Sequence, residues 1–418
     1  MENNSWYKVD NVAKVFLANN NQRDTRSLRV SATLTEEIEP EVLKKALSKT
    51  IKACPQFQVR IRRGLFWHYM EDTDVLPEVT LESERPCPVL YGEHYRGVLH
   101  YRVTYFNNRI NLDLFHAISD GTGALEFLDT IVLNYLKIKY PGEMEGLTVG
   151  GGYSLDEREQ DSYSQFADKG SSTDNIPKSH KSYQIDEIKL PYNQLQFMEI
   201  HISAGQVVKQ ARACGVSVGS YMGSRLMLAI YKTMPIRQKK RPITISMPVN
   251  LRNFYPSNTS RNFFNSVQVT HVFEGDETIE SLSKEFDANL KASLNPELVR
   301  QNMNNFQQIE KNLFARVVPL AIKQPVVRFF SKREAKSVTA VLSNLGQRKP
   351  PEAVAAHVAG YSAFCSTESV FITLTTYGDE LVLGVSSAFA RTGYLRELID
   401  SLTDEEHPAT VYATEVVK

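Results

Sequence analysis

A histidine followed four residues later by an Asp-Gly pair stands in the segment DLFHAISDG, Asp113–Gly121. In Arg109–His116 apolar and polar residues alternate. Ile110, Leu112, Leu114 and His116 therefore share one face of a strand. The imidazole occupies an apolar position at the strand's end, beside a turn holding Asp120, Gly121 and Gly123. A histidine held by packing, with one ring nitrogen accessible, can act as a general base at neutral pH. Asp120 could fix its loop or the ring by pairing nearby. The same residues also fit a hydrogen-bonded core histidine next to an ordinary Asp-Gly turn.

A second motif competes. Gly215–Gly219, GVSVG, matches the nucleophile elbow G-x-S-x-G, which needs a strand before its serine and a helix after it. The preceding residues, SAGQVVKQARACG, have helical spacing. Gly215 is expected to end one helix, with Ser217 or Ser220 capping the next. The basic run Arg237–Arg241 (RQKKR) could meet phosphates, but a solvated charge run is the commoner use, and the same holds for Arg328, Lys332, Arg333 and Lys336. Met222, Met227 and Met234 read as core. Cys54, Cys87, Cys214 and Cys365 lie far apart with no metal or CxxC spacing, and read as free thiols in a reducing compartment. His68, His94, His180 and His357 show no metal spacing, so no metal is expected.

The elements that must position His116 are legible on both sides of it. Ser27–Leu34 alternates as a half-buried strand does, and Pro40 opens a helix whose stripe runs from Val42 to Cys54. Phe57–Ile61 and Leu65–Tyr69 read as a hairpin around Arg62-Arg63-Gly64. Val98–Phe106 and Arg109–His116 read as a second hairpin, joined by Asn107-Asn108. A strong helix pattern follows Gly121, up to Pro141-Gly142. Residues 141–190 turn polar and rich in Gly and Ser, including Gly150–Gly152, as a linker or crossover would. Beyond it, helices are expected at Gln206–Ala213, Tyr221–Met234, about Ile279–Leu294 and near Met303–Phe314. Strands are expected at Ile243–Val249, around Gln268–Phe273, and at Ser337–Leu342, Ser369–Tyr377 and Glu380–Val385. The expectation is a mixed α/β chain with an N-terminal lobe over 1–150, a polar crossover over 151–190 and a C-terminal lobe over 191–418.

With 418 residues the chain can bury a large core. Lys+Arg and Asp+Glu are both 48, which argues against a broad nucleic-acid surface. The N-terminus lacks a basic segment followed by an apolar run, and no stretch of about 18 apolar residues occurs. A cytoplasmic protein without a membrane span is expected.

His116-x-x-x-Asp120-Gly121, between a strand and an amphipathic helix, resembles the superfamily of CoA-dependent acyltransferases. That group includes chloramphenicol acetyltransferase, plant-type BAHD acyltransferases, nonribosomal-peptide condensation domains and bacterial alcohol acetyltransferases. LKKALSKTIKACPQFQVRIRRG (43–64) is similar to the early helix, proline and strand of condensation domains. ISMPVNLRNFYPSNTSRNFFNSV (245–267) resembles their PVNLR segment, and SNLG (343–346) the Ser-Asn-x-Gly stretch of alcohol acetyltransferases. The resemblance implies two chloramphenicol-acetyltransferase-like lobes of mixed β-sheets flanked by helices, with a tunnel between them. It further implies His116 as the base on an alcohol or amine acceptor and acyl-CoA as co-substrate. Asp120 would pair with Arg252, and Ser343 and Asn344 would donate to an oxyanion. Phe115 stands where condensation domains carry a second histidine, which favours the alcohol-acyltransferase branch. The BAHD Asp-Phe-Gly-Trp-Gly segment is absent, and Arg261 replaces an expected glycine. No carrier-protein segment accompanies the lobes, so a donor arriving from outside is expected. An acyl carrier protein as donor, or a non-catalytic ligand-binding protein of this fold, are the alternatives. Acceptor, acyl length and oligomeric state are open.

Overall fold

The computed structural model describes residues 6–95, 97–148, 154–166, 180–311 and 317–414. Within these residues the strands are β1 (Trp6–Lys8), β2 (Ser27–Leu34), β3 (Val59–Arg63), β4 (His68–Asp72), β5 (Val79–Leu81), β6 (Tyr101–Phe106), β7 (Arg109–Phe115), β8 (Gln196–Ser203), β9 (Ile243–Asn250), β10 (Phe264–His271), β11 (Ala340–Gln347), β12 (Val358–Cys365), β13 (Val370–Tyr377), β14 (Glu380–Ser387) and β15 (Thr410–Ala413). The helices are α1 (Asn11–Asn19), α2 (Pro40–Ala53), α3 (Gly121–Lys139), α4 (Leu155–Glu159), α5 (Ser162–Phe166), α6 (Ala204–Ala213), α7 (Val218–Thr233), α8 (Ile279–Ser293), α9 (Pro296–Lys311), α10 (Leu320–Ala335), α11 (Glu352–Ala355) and α12 (Gly393–Leu402).

Two mixed sheets dominate. The first has the order β12-β2-β7-β6-β5, the second β10-β9-β11-β13-β14-β8-β15, and β1-β4-β3 form a small third sheet. Pro40 starts α2, where its missing N–H leaves no helical bond unmade, and Leu43, Ala46, Leu47 and Thr50 bury one stripe against α3. One face of β7 carries Ile110, Leu112 and Leu114, all fully buried, and its hairpin turns at Asn107 with φ 48°. The other face carries Asp113, which accepts from Arg29 at 2.8 and 2.6 Å and from Arg102 at 3.0 Å. Those charges are kept because each buried one is paired.

The two halves of the chain interlock. β12, from the last fifth of the sequence, pairs antiparallel with β2 and completes the first sheet. Gly384 on β14 permits this crossing, since a Cβ there would lie 1.8 Å from the Ala363 carbonyl oxygen. Arg109 of the first sheet donates to Glu199 of the second at 2.6 and 2.9 Å, and Ser362 on β12 donates to the same carboxylate at 2.6 Å.

Several expectations shift in detail. The first hairpin turns at Gly64–Trp67, immediately after Arg63, because Arg60 and Arg62 reach across to Glu71 and extend the ladder. α1, β8, β12, α10 and α12 are additional to the expected elements, although Met198, Ile200 and Ile202 of β8 alternate and Tyr394, Leu395, Leu398 and Leu402 of α12 recur at helical spacing. Residues 149–153 and 167–179 of the polar crossover, and 312–316 of the helix expected near Met303–Phe314, lie outside the described residues. The four cysteines are free thiols. Among the described residues no helix is long and apolar enough to cross a membrane.

Candidate active site

His116 follows β7 directly, and its backbone N–H donates to the Arg26 carbonyl at 2.8 Å, which pins the strand's end. Its ring lies on Phe16 of α1, centroid to centroid 4.4 Å, and near Phe264 at 5.7 Å. Nδ1 faces the Asn262 side-chain oxygen at 3.1 Å. The amide's orientation is set by its other end, where Asn262 Nδ2 donates to the His116 carbonyl at 2.9 Å and to Asp10 at 3.3 Å. Nδ1 is thus the protonated nitrogen and Nε2 the acceptor, the form a general base needs. Burial lowers the ring's pKa below its ordinary 6.5, against the pull of the Asp120 charge.

Asp120 is the N-cap of α3. Its Oδ1 accepts from the Gly123 N–H at 3.0 Å. Oδ2 accepts from Arg252 Nη1 at 2.8 Å and from the Phe263 N–H at 2.9 Å. Arg252 also donates to the Thr259 carbonyl at 2.8 Å and the Arg261 carbonyl at 2.7 Å. One carboxylate and one guanidinium therefore fasten the start of α3 to the loop that delivers Asn262. Gly123 is required for that approach, because a Cβ would sit 2.4 Å from the Ser260 carbonyl oxygen. Gly121 opens the helix against Leu345, whose Cδ2 would be 3.0 Å from an added Cβ.

Ser343 and Asn344 lie within β11, beyond the expected strand end, and line the same cavity of about 640 Å3 as His116, Asp120 and Gly121. Asn344 Oδ1 accepts from the Gly346 N–H at 2.9 Å, which leaves its Nδ2 as a donor. The rest of the wall is divided between apolar residues, Phe16, Leu28, Val30, Phe264 and Phe371 among them, and polar or charged ones, including Asp24, Arg26 and Arg29. The site thus gathers His116, Asp120, Gly121, Ser343 and Asn344 around one space, with Arg252 behind it.

Asn262 and Asp10 were invisible to spacing. Asn262 stands two residues before Phe264 in the segment that resembles condensation domains, but only the fold brings it to His116. Other candidates lie elsewhere. Ser217 caps α7, accepting from the Ser220 N–H at 3.1 Å, with α6 rather than a strand before it. Arg237 is exposed and near Asp186 at 3.8 Å. His68 and His100 are buried, and burial pushes both to about 4. Among the described residues no three His, Cys, Asp or Glu side chains gather as a metal site.

No family model matches the chain, and no curated protein matches it in sequence. Solved structures do match. Polyketide synthase associated protein 5 from Mycobacterium tuberculosis is 14% identical, with 96% of this chain and 98% of that one covered and a TM-score of 0.61. Trichothecene 15-O-acetyltransferase from Fusarium sporotrichioides is 12% identical, with 95% of this chain and 94% of that one covered, also with a TM-score of 0.61. A mutant of the starter condensation domain of rhizomide synthetase, in complex with C8-CoA and Leu-SNAC, is 10% identical with 95% and 93% covered and a TM-score of 0.60. Two interlocked mixed sheets, helix-covered and matched along almost their whole length, give this chain the fold of the CoA-dependent acyltransferases and condensation domains.

Proposed function

We propose that the protein transfers an acyl group from acyl-CoA to an alcohol or amine, with His116 as general base. The observation that carries this reading is the Asn262–His116 contact, which leaves Nε2 unprotonated at a cavity walled by both apolar and polar side chains. Nε2 takes the proton of the acceptor O–H or N–H as its heteroatom attacks the thioester carbonyl. The tetrahedral oxyanion accepts from Ser343 Oγ or Asn344 Nδ2. On collapse the C–S bond breaks, and the imidazolium returns its proton to the leaving thiolate. Asp120 and Arg252 hold the frame and touch no reacting atom. The similar domain bound to C8-CoA supports a CoA donor.

The deciding experiment measures thiol release from a panel of acyl-CoAs, each with mixed alcohols and amines. Acceptor-dependent release is expected. Release that needs no acceptor and survives loss of His116 would place the chemistry elsewhere.

Two further outcomes are expected. Because burial lowers the His116 pKa, the acid limb of the rate profile falls below pH 6.5. The same shift has a sign for stability: the folded state prefers the neutral ring, so its contribution is present above pH 6.5 and is lost as pH falls through the lower folded value. A rate profile with its acid limb above 6.5 would contradict this assignment. Asn262→Ala removes the acceptor at Nδ1, a bond that favours the charged ring, so the limb moves to still lower pH. Its kcat falls about tenfold, about the worth of one hydrogen bond. A merely structural asparagine would leave the pH profile in place.

A further inference from the structure

α10 lies on the surface with a narrow packed stripe. Leu320 is buried, while Lys323, Gln324, Val327 and Ser331 are partly covered along the same side. The opposite stripe is apolar and open: Ile322 is 59% exposed, Val326 50%, Phe329 63% and Phe330 62%. Their spacing of three and four residues puts them on one helical face. The tip of the β3–β4 hairpin adjoins the start of this helix. The Leu320 N–H donates to the Leu65 carbonyl at 2.9 Å, and Lys323 Nζ to the Phe66 carbonyl at 2.9 Å. That tip adds Leu65, 69% exposed, and Trp67, 51% exposed.

Charge frames the apolar side chains. Residues 320–336 hold five Lys or Arg and one Glu, in a chain whose formal net charge is zero. Lys332, Arg333 and Lys336 are exposed. Among the described residues none of these three has an ion-pair partner, and Arg63 adds an exposed cation at the hairpin tip. Unpaired cations beside outward Phe, Val and Ile on one helix, with an indole at the adjoining tip, match an interfacial helix rather than a solvated one. The indole suits the boundary, where its apolar body is buried and its N–H stays wet. An acidic protein could meet the cations, but it would need an apolar socket for each of six side chains, whereas a lipid surface takes them all.

We infer that the α10 face and the β3–β4 tip dock the protein on an anionic membrane surface, with the aromatic side chains in the headgroup boundary. Lipid binding by this face needs no turnover at His116, so it stands or falls separately from acyl transfer.

The test uses the full chain with vesicles of phosphatidylcholine alone and of phosphatidylcholine containing phosphatidylglycerol. Co-sedimentation is expected with the anionic vesicles, at least about tenfold above the neutral ones, and it weakens as salt rises. The chain has two tryptophans, Trp6 and Trp67, so in Trp6→Phe the emission reports the hairpin tip alone and shifts to the blue on binding. F329S/F330S, both on the exposed stripe, is expected to abolish binding, and K332E/R333E to cut it at least about tenfold. No binding to anionic vesicles at low salt would overturn the inference. So would unchanged binding by both variants, or a concentration-dependent dimer or an acidic carrier protein that uses this face while vesicles do not.

Discussion

His116→Ala is expected to lower kcat/KM for acceptor-dependent thiol release by about 10²–10⁴-fold, the usual contribution of a positioned general base. The variant removes the one side chain whose nitrogen is prepared as a proton acceptor. It leaves the proposed oxyanion donors, Ser343 and Asn344, where they are. Residual turnover should therefore come from positioning and oxyanion stabilisation alone. The Asp120–Arg252 pair does not involve the ring, so circular dichroism should match the parent protein. The loss should appear mainly in kcat, because proton removal belongs to the transition state rather than to binding. Full activity in His116→Ala would sink the acyl-transfer mechanism. His116→Gln, which keeps polar bulk without a titratable ring, should be as impaired and should lose the acid limb.

The second large effect falls on stability. Asp120→Ala is expected to cost about 3–5 kcal/mol, the range for breaking a buried ion pair from one side. The carboxylate accepts three bonds, from Gly123, Arg252 and Phe263, and is only 3% exposed. Its removal uncaps α3 and leaves the Arg252 guanidinium, whose side chain is 11% exposed, without its carboxylate. Urea unfolding should show the midpoint dropping well below that of the parent protein. The double variant D120A/R252M should recover part of the loss, because the stranded charge is gone. A single variant as stable as the parent would mean that the pair does not fasten the two segments.

How these residues could be read in advance follows from the physics of each. β7 alternates because one face is core, and that alternation located His116 as an imidazole in an apolar slot. α3 announced itself through Asp120 as cap and a long buried stripe. The resemblance supplied the Asp120–Arg252 pair, which spacing alone could not, since 132 residues separate the partners. Asn262 escaped because its role is created by two remote contacts, to His116 and Asp10. β12 escaped for another reason. Crossing between two sheets buries both its faces, so VAGYSAFC has no alternation to find. α10 escaped because its apolar residues point outward around Pro325, which defeats any search for a core stripe.

The crossing of β12 also orders events in time. The first sheet needs Val358–Cys365 beside β2, more than 300 residues upstream, so synthesis of the first third cannot finish it. Until the last fifth of the chain emerges, β2 presents an unpaired edge to any neighbouring nascent chain. Closing so long a loop makes this docking a late and slow step of folding. A chain terminated before 358 would be left with that edge permanently open, and would be expected to aggregate rather than to fold as a smaller protein.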